Sequence, residues 1–334
     1  MEKITAEKTG KLRHLFENAT RIAVLGHTHP DGDALGSVSA LCSFLGRKAT
    51  AIFPDSLPET LRFAMLPEVP YLFADSGREA AEAAIAEADL VVLLDCNAFS
   101  RTDVLEGALK ASGAPKILID HHLNPDLEAF DLVFSTPDIS SASELLYWIL
   151  KEIGPLSLPA CTALLTGMTT DTNNFANSVY PSTFRMASEL LAAGVDRDAV
   201  LARLYNNYRE NRVRLMGYMQ HEELHILPEG AAYMILSREI QERFDLAEGE
   251  SEGLVNVPLS IGRVRLSLLL KEQDGHWRVS LRSKKGTSAQ QCAQRFFHGG
   301  GHENAAGGKL TPGEDYTAPE GLVPYLENAL KAVL

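Results

Sequence analysis

RIAVLGHTHPDGDALGSVSALCSFL, residues 21–45, is the stretch whose reading decides the fold. Residues 21–26 read as a short buried strand, a polar loop carrying His27, Asp31 and Asp33 follows, and 34–45 reads as a helix. The pattern then repeats. Apolar strands are expected at 49–53, 89–95, 116–120 and 131–135, with Ala-, Glu- and Leu-rich helices at 78–88, 103–111 and 142–153 and an opening amphipathic helix at 5–18. Short, continuously apolar strands alternating with helices predict an α/β fold whose parallel sheet is covered by helices on both faces. Ligands of such sheets bind beyond the carboxyl ends of the strands. The polar clusters after residues 26, 94 and 119 all fall at that edge and are read as one site.

Two further helices are expected at 159–170 and 181–193, after which 205–223 is charged, helical in composition and weakly apolar. Strand signals then dominate, at 231–236, 255–261, 264–270 and 276–282. Asp274-Gly275 between the last two is a hairpin turn signal. A helix at 288–297 leads into GGGHENAAGG, 299–308. The expected organisation is a first α/β domain over 1–205, a connector over 206–228, and a smaller α/β domain with a mixed sheet over 229–334.

At 334 residues the chain exceeds the usual size of a single core, and 45% hydrophobic with 22% charged residues is an ordinary globular composition. The N-terminus lacks the apolar core of a secretory signal and no apolar run approaches the roughly 20 residues of a membrane span. A cytoplasmic protein without membrane association is therefore expected. Cys42, Cys96, Cys161 and Cys292 lie far apart, form no CxxC pair, and read as small core residues. The net charge of −13 argues against a long duplex as partner, because that binding draws its affinity from basic residues that displace counterions. Between 271 and 309, however, seven basic residues face three acidic ones, a local +4 that suits small phosphate compounds.

Four segments bring acidic and imidazole groups to the first domain: His27/Asp31/Asp33, Asp95, Asp120-His121-His122, and Asp171. A lone Asp after a strand is commonly a cap and a lone His a surface residue. Several carboxylates converging on one sheet edge would repel one another unless cations neutralise them, so their joint placement predicts a metal site. Oxygen and imidazole donors without thiolate point to Mn²⁺, with Mg²⁺, Fe²⁺ and Co²⁺ the alternatives. His29 shares the first loop, and His14, His221, His225 and His276 belong to no constellation. Walker A and GxGxxG patterns are absent, which removes ATPase and dinucleotide-cofactor chemistry.

GHTHPDGDALGS (26–37), LLDCN (93–97), IDHHLNP (119–125) and TGMTTDT (166–172) resemble the four motifs of the DHH phosphoesterase superfamily, and GGGHENAAGG resembles the glycine-rich signature of its associated C-terminal domain. The five occur in the family's order over most of the chain. The chain is most similar to the bacterial nano-RNases and 3′-phosphoadenosine-5′-phosphate phosphatases, whose two domains face each other across a cleft. The resemblance implies two Mn²⁺ ions, one held by His27, Asp31 and Asp95, the other by Asp33, Asp95, His121 and Asp171. Asp95 would bridge them, so that two cations about 3.5–4 Å apart share a deprotonated water for in-line attack on phosphorus. His122 would face the substrate as proton donor or phosphate contact, and Asp120 would orient an imidazole. In the C-terminal domain Arg282, Ser283, Gly299, Gly300, Gly301 and His302 would contact a terminal phosphate or base. Three departures from the family pattern fall beside these positions: Asn173 and His298 stand where glycine is usual, and NFANS (174–178) replaces a more basic sequence.

The implied activity is hydrolysis of short single-stranded oligoribonucleotides to mononucleotides and of the 3′-phosphate of 3′-phosphoadenosine-5′-phosphate. The alternative within the same chemistry is a phosphodiesterase of linear or cyclic dinucleotides (pApA, c-di-AMP), and the alternative outside it is a nucleotide-sensing module without turnover. An inorganic pyrophosphatase fits less well, because that branch carries a different C-terminal part. Relatives often pair through the first domain, so a homodimer is expected.

Overall fold

The computed structural model describes residues 4–334, apart from the side chain of His302, and the chain divides into two compact units, 1–207 and 208–334. In the first unit β1 (Ile22–Leu25), β2 (Ala49–Phe53), β3 (Tyr71–Phe73), β4 (Leu90–Leu94), β5 (Lys116–Asp120) and β6 (Leu132–Ser135) form one wholly parallel sheet in the order β3-β2-β1-β4-β5-β6. That order reverses direction between β1 and β4, the crevice where doubly wound sheets bind ligands. Period-two alternation divides each central strand between two cores. Ile22, Val24, Leu90, Val92 and Leu94 pack on one face, while Ala23, Leu25, Val91 and Leu93 pack on the other. The first face is covered by α1 (Ala6–Asn18) and α2 (Gly32–Leu45), the second by α3 (Ala74–Glu87) and α4 (Glu106–Ala111). The chain returns to the first face as α5 (Ala142–Ile153), α6 (Leu158–Asp171) and α7 (Pro181–Ala192), and α8 (Arg197–Tyr205) follows.

Missing side chains set the distance between α2 and α6. A Cβ on Gly36 would lie 2.5 Å from the Ala163 carbonyl oxygen and 2.9 Å from the Gly167 nitrogen, while one on Gly167 would meet Ser143 Oγ of α5 at 2.1 Å and Asp33 Oδ1 at 3.0 Å. Backbone therefore packs on backbone, and this contact brings the start of α2, with Asp33, against the end of α6, with Asp171.

The second unit opens with α9 (Glu210–His221). Its residues Leu215 and Met219 are fully buried in a cluster with Met234, Leu236 and Leu254, so most of the stretch read as a connector is packed structure. Next come β7 (His225–Ile226), β8 (Ala231–Leu236), α10 (Arg238–Arg243), β9 (Leu266–Gln273), β10 (His276–Ser283), α11 (Ala289–Phe296), β11 (Gly300–His302), β12 (Ala305–Leu310) and α12 (Leu322–Lys331). The sheet runs β11-β12-β10-β9-β8-β7, with β8 and β9 parallel and every other pair antiparallel. The expected strand at 255–261 is a 3-10 helix, Leu254–Ser260. Pro258 cannot donate to a ladder, and Gly253 at φ 85° turns the chain immediately before it. The expected helix at 103–111 begins only at Glu106, after a 3-10 segment in which Asp103 has φ 45°. All four cysteines are buried thiols. Among the described residues no helix is long and apolar enough to cross a membrane.

Replacing Gly36 by Ala should destabilise the protein by about 1–3 kcal/mol through overpacking, although helix propensity alone would favour alanine by about 1 kcal/mol. Urea unfolding followed by circular dichroism reads the sign. A midpoint at or above wild type would contradict the backbone contact.

Candidate metal centre

The acidic and imidazole groups of the four segments are set at the sheet edge by their local structure. Asp31 is the N-cap of α2, its Oδ1 accepting from the backbone N–H groups of Asp33 (3.0 Å) and Ala34 (3.1 Å). It caps and also lies 3.9 Å from His27 Nε2. His27 donates from Nδ1 to the Thr28 carbonyl at 2.7 Å, which leaves Nε2 turned toward Asp31 and, at 3.4 Å, Asp95 Oδ2. Asp95 follows β4 directly and holds φ 55°, a left-handed conformation that a non-glycine residue keeps only under constraint from its surroundings.

Asp33 is fully buried, and both of its oxygens accept backbone N–H groups from the first turn of α5: Oδ2 from Ala142 at 2.6 Å and Oδ1 from Ser143 at 2.9 Å. The positive end of α5 thus cradles an anion delivered by α2. That cradle, SSAS at 140–143, carries no acidic or imidazole group and escapes a search for ligand types. Asp171 ends α6, and His121 follows β5. The Nε2 of His121 lies 3.3 Å from Asp95 Oδ1, 3.6 Å from Asp171 Oδ2 and 3.9 Å from Asp33 Oδ2.

Three overlapping groups of donor atoms result, His27/Asp31/Asp95, Asp33/His121/Asp171 and Asp95/His121/His122, each within 4.8 Å. Asp95 touches the first two through different oxygens. Its Oδ1 is buried and, with ring nitrogens of His121 and His122 at 3.3 and 3.4 Å, still has no hydrogen-bond partner among the described residues. An orphaned anionic oxygen between imidazoles and carboxylates is what a bound cation would satisfy, so the residues present fit a metal.

Charge is strained throughout the centre. Burial and then the Asp95 charge raise Asp33 to about 7, and burial with the Asp33 charge holds Asp171 well above the carboxylate range. Burial opposes protonation of His27. The Asp95 contact and the charges of Asp31 and Asp95 outweigh it, with Arg101 working against them, and the ring rises to about 9. For His121 burial is likewise overcome by Asp95, Asp171 and Asp33, to about 10. Asp95 is held well below its ordinary value, the two imidazoles outweighing its burial.

Asp120 is fully buried and accepts from His122 twice, Oδ2 from the backbone N–H at 3.0 Å and Oδ1 from Nδ1 at 2.8 Å. On the other side of the ring, His122 Nε2 lies 2.8 Å from Arg101 Nη1. Arg101 was not among the residues read from the sequence, where RTD at 101–103 carries no motif signal. His29 is exposed at φ 51°, beside Asp55, and belongs to none of these donor groups. Asn173 takes φ 46°, the left-handed backbone expected of a glycine replacement, and Asn174 and Phe175 follow at 55° and 67°.

In the second unit the glycine run is the edge strand β11. Gly299 and Gly301 are required by close approach, since a Cβ would lie 1.9 Å from the Gly307 carbonyl oxygen and 2.6 Å from that of Ala305, respectively. Gly300 has open space, and the side chain of His302 lies outside the described residues. Ser283 gives its hydroxyl proton to the Thr287 carbonyl at 2.6 Å and accepts from Asn304 Nδ2 at 2.9 Å, so it pins the turn after β10. Arg282 is half-buried, and burial followed by the Arg278 charge lowers its pKa. Arg278 stands opposite Lys271 on β9 and Lys309 on β12, three cations in one row across the sheet. Like charges placed opposite one another destabilise a sheet, and here the charges of Glu248 and Glu252 reach Lys271 and offset part of the row.

Comparison with known proteins assigns both units to described domains. Residues 21–170 match the N-terminal domain of the DHH family and residues 231–323 the DHHA1 domain. A probable bifunctional oligoribonuclease and PAP phosphatase NrnA from Streptococcus mutans is 34% identical, over 86% of this chain and 88% of its own. The chain belongs to the DHH family. A bifunctional oligoribonuclease and PAP phosphatase NrnA from Bacillus subtilis is 28% identical over 85% of this chain and 87% of its own. The crystal structure of an exopolyphosphatase-related protein from Bacteroides fragilis superposes with a TM-score of 0.92 at 36% identity, covering 99% of this chain and 98% of that one.

Without metal, the raised His27 and His121 contribute stability below their unfolded value of about 6.5 and lose it as pH rises through about 9 and 10. The melting temperature in EDTA should therefore fall between pH 7 and 10. Mn²⁺ should restore it and, near pH 7, release protons on binding. A flat EDTA profile in scanning fluorimetry, with calorimetric heats independent of buffer ionisation, would contradict the charge arrangement.

Proposed function

We propose that this protein is a metal-dependent phosphoesterase that hydrolyses short single-stranded oligoribonucleotides to mononucleotides and removes the 3′-phosphate of 3′-phosphoadenosine-5′-phosphate. The observation carrying this reading is the single carboxylate, Asp95, set between two donor groups with one oxygen unsatisfied. His27, Asp31 and Asp95 would hold one cation, and Asp33, Asp95, His121 and Asp171 the other. Bound divalent cations supply a water ionised near neutral pH and neutralise charge on the phosphoryl group. Oxygen and nitrogen donors without sulfur suit Mn²⁺.

The remaining work belongs to the chain. The α5 N-terminus fixes both oxygens of Asp33, and the Thr28 carbonyl fixes the tautomer of His27, so neither ligand needs to reorganise on binding. Arg282, the β11 backbone and the Lys271–Arg278–Lys309 row would take the phosphates and base of a substrate a few nucleotides long. The activities named for the two NrnA relatives are consistent with this reading. An overall charge of −13 disfavours longer polyanions elsewhere on the surface.

The test is a panel of di- to pentaribonucleotides, pApA, cyclic dinucleotides and 3′-phosphoadenosine-5′-phosphate, incubated with Mn²⁺ at equal enzyme concentration. The short linear oligonucleotides and the bisphosphate should be consumed, and EDTA should abolish turnover. Asp95→Ala should lower kcat by about 10³-fold or more. Failure to hydrolyse any member of the panel with Mn²⁺ present would refute the proposal, and preference for cyclic dinucleotides would redirect it to that class.

A further inference from the structure

We infer that Arg101 is a phosphate-contacting residue of this site, and that His122 and Asp120 serve to position it; the inference rests on the phosphoesterase reading above. Its starting point is the direction of one hydrogen bond. A guanidinium has only donors, so the 2.8 Å contact between Arg101 Nη1 and His122 Nε2 makes Nε2 the acceptor. The opposite nitrogen, Nδ1, faces Asp120 Oδ1 at 2.8 Å, and a carboxylate accepts. His122 is therefore the tautomer with its proton on Nδ1, and that proton is committed to the buried Asp120. In this arrangement Nε2 has no proton to give to a leaving oxygen. The ring instead transmits the rigid position of Asp120 to the guanidinium.

Arg101 is fixed at its backbone as well. Its carbonyl accepts from Thr28 N at 2.8 Å and its own N–H donates to the Ala98 carbonyl at 3.1 Å, which ties it to the loop that carries His27. Its charge is close enough to oppose protonation of His27. Four carboxylates lie in this centre, yet among the described residues Arg101 forms no ion pair with any of them. A half-buried guanidinium with most of its donors uncommitted among the described residues, held by the Nε2 of His122 beside the metal-binding edge, matches the non-bridging oxygens of a phosphoryl group in shape and charge. Such a donor acts most strongly where charge accumulates on those oxygens in the transition state.

The test uses the Mn²⁺-loaded enzyme and five variants, Arg101→Ala, Arg101→Lys, His122→Ala, His122→Gln and the double alanine variant, with kcat and KM on pApA and calorimetric titration with AMP. Arg101→Ala should lower kcat/KM by about 10²–10³-fold and weaken AMP at least about 10-fold, with Mn²⁺ stoichiometry unchanged. Arg101→Lys should recover part of both. Gln can present Oε1 where Nε2 stood but cannot act as an acid, so His122→Gln should stay within about 10-fold of wild type while His122→Ala falls toward Arg101→Ala. The double alanine variant should be scarcely worse than Arg101→Ala alone. His122→Gln as inactive as His122→Ala, beside a nearly normal Arg101→Ala, would overturn the inference and make His122 the proton donor. Wild-type AMP affinity in Arg101→Ala would also overturn it. Should Arg101→Ala fail to fold, the AMP affinity of Arg101→Lys and Arg101→Gln decides in its place. If the wild-type enzyme hydrolyses nothing, the phosphoesterase reading fails, while the AMP comparison still judges Arg101.

Discussion

Mutual repulsion among Asp31, Asp33, Asp95 and Asp171 is the constraint on which this structure depends. The pairs Asp31/Asp95 and Asp33/Asp171, each with donor atoms within 4.8 Å, give pair energies of roughly 3–4 kcal/mol at an effective dielectric of about 20, before any cost of burial. The fold answers with fixed positive potential. Asp31 caps α2, Asp33 lies in the N-terminal turn of α5, and His27 and His121 stand on either side of Asp95. These devices hold the carboxylates in place and offset only part of their charge. The unsatisfied oxygen of Asp95 marks the remainder, which divalent cations are suited to supply.

Assembling that charge needs close backbone contact as much as it needs ligands. Gly36 lets α2 touch α6 at Ala163 and Gly167, and Gly167 leaves room for Asp33 and for Ser143 of α5, so that the first turn of α2 and the last residue of α6 reach the same edge of the sheet. The reversal of strand order between β1 and β4 opens the crevice they share. Packing and chemistry are therefore the same requirement here. A side chain added at Gly36 would press on a carbonyl of α6 and shift Asp33 relative to Asp171.

The second unit uses glycine for a related purpose. Gly299 and Gly301 let β11 lie against β12, which makes the glycine-rich segment the edge of a sheet. The same sheet carries the basic row Lys271, Arg278 and Lys309 on β9, β10 and β12. Ser283, by contrast, spends its hydroxyl on Thr287 and Asn304 and holds the turn after β10.

The sequence by itself determined the alternation of strands and helices, and with it the parallel sheet, because buried strands must be continuously apolar and their polar ends must fall at one edge. It also singled out His27, Asp31, Asp33, Asp95, His121 and Asp171, since ligand chemistry resides in residue type. Tertiary structure decided what residue type does not encode. The backbone N–H groups of Ala142 and Ser143 that receive Asp33 belong to residues with no ligand chemistry, and Arg101 gains its meaning only from the ring it meets 21 residues along the chain. The 3-10 helix at Leu254–Ser260 and the buried face of α9 were likewise settled by packing, where a proline and a weakly apolar periodicity left the local signal ambiguous. Local patterns report which atoms can bind; only the folded chain reports which of them are held still, and by what.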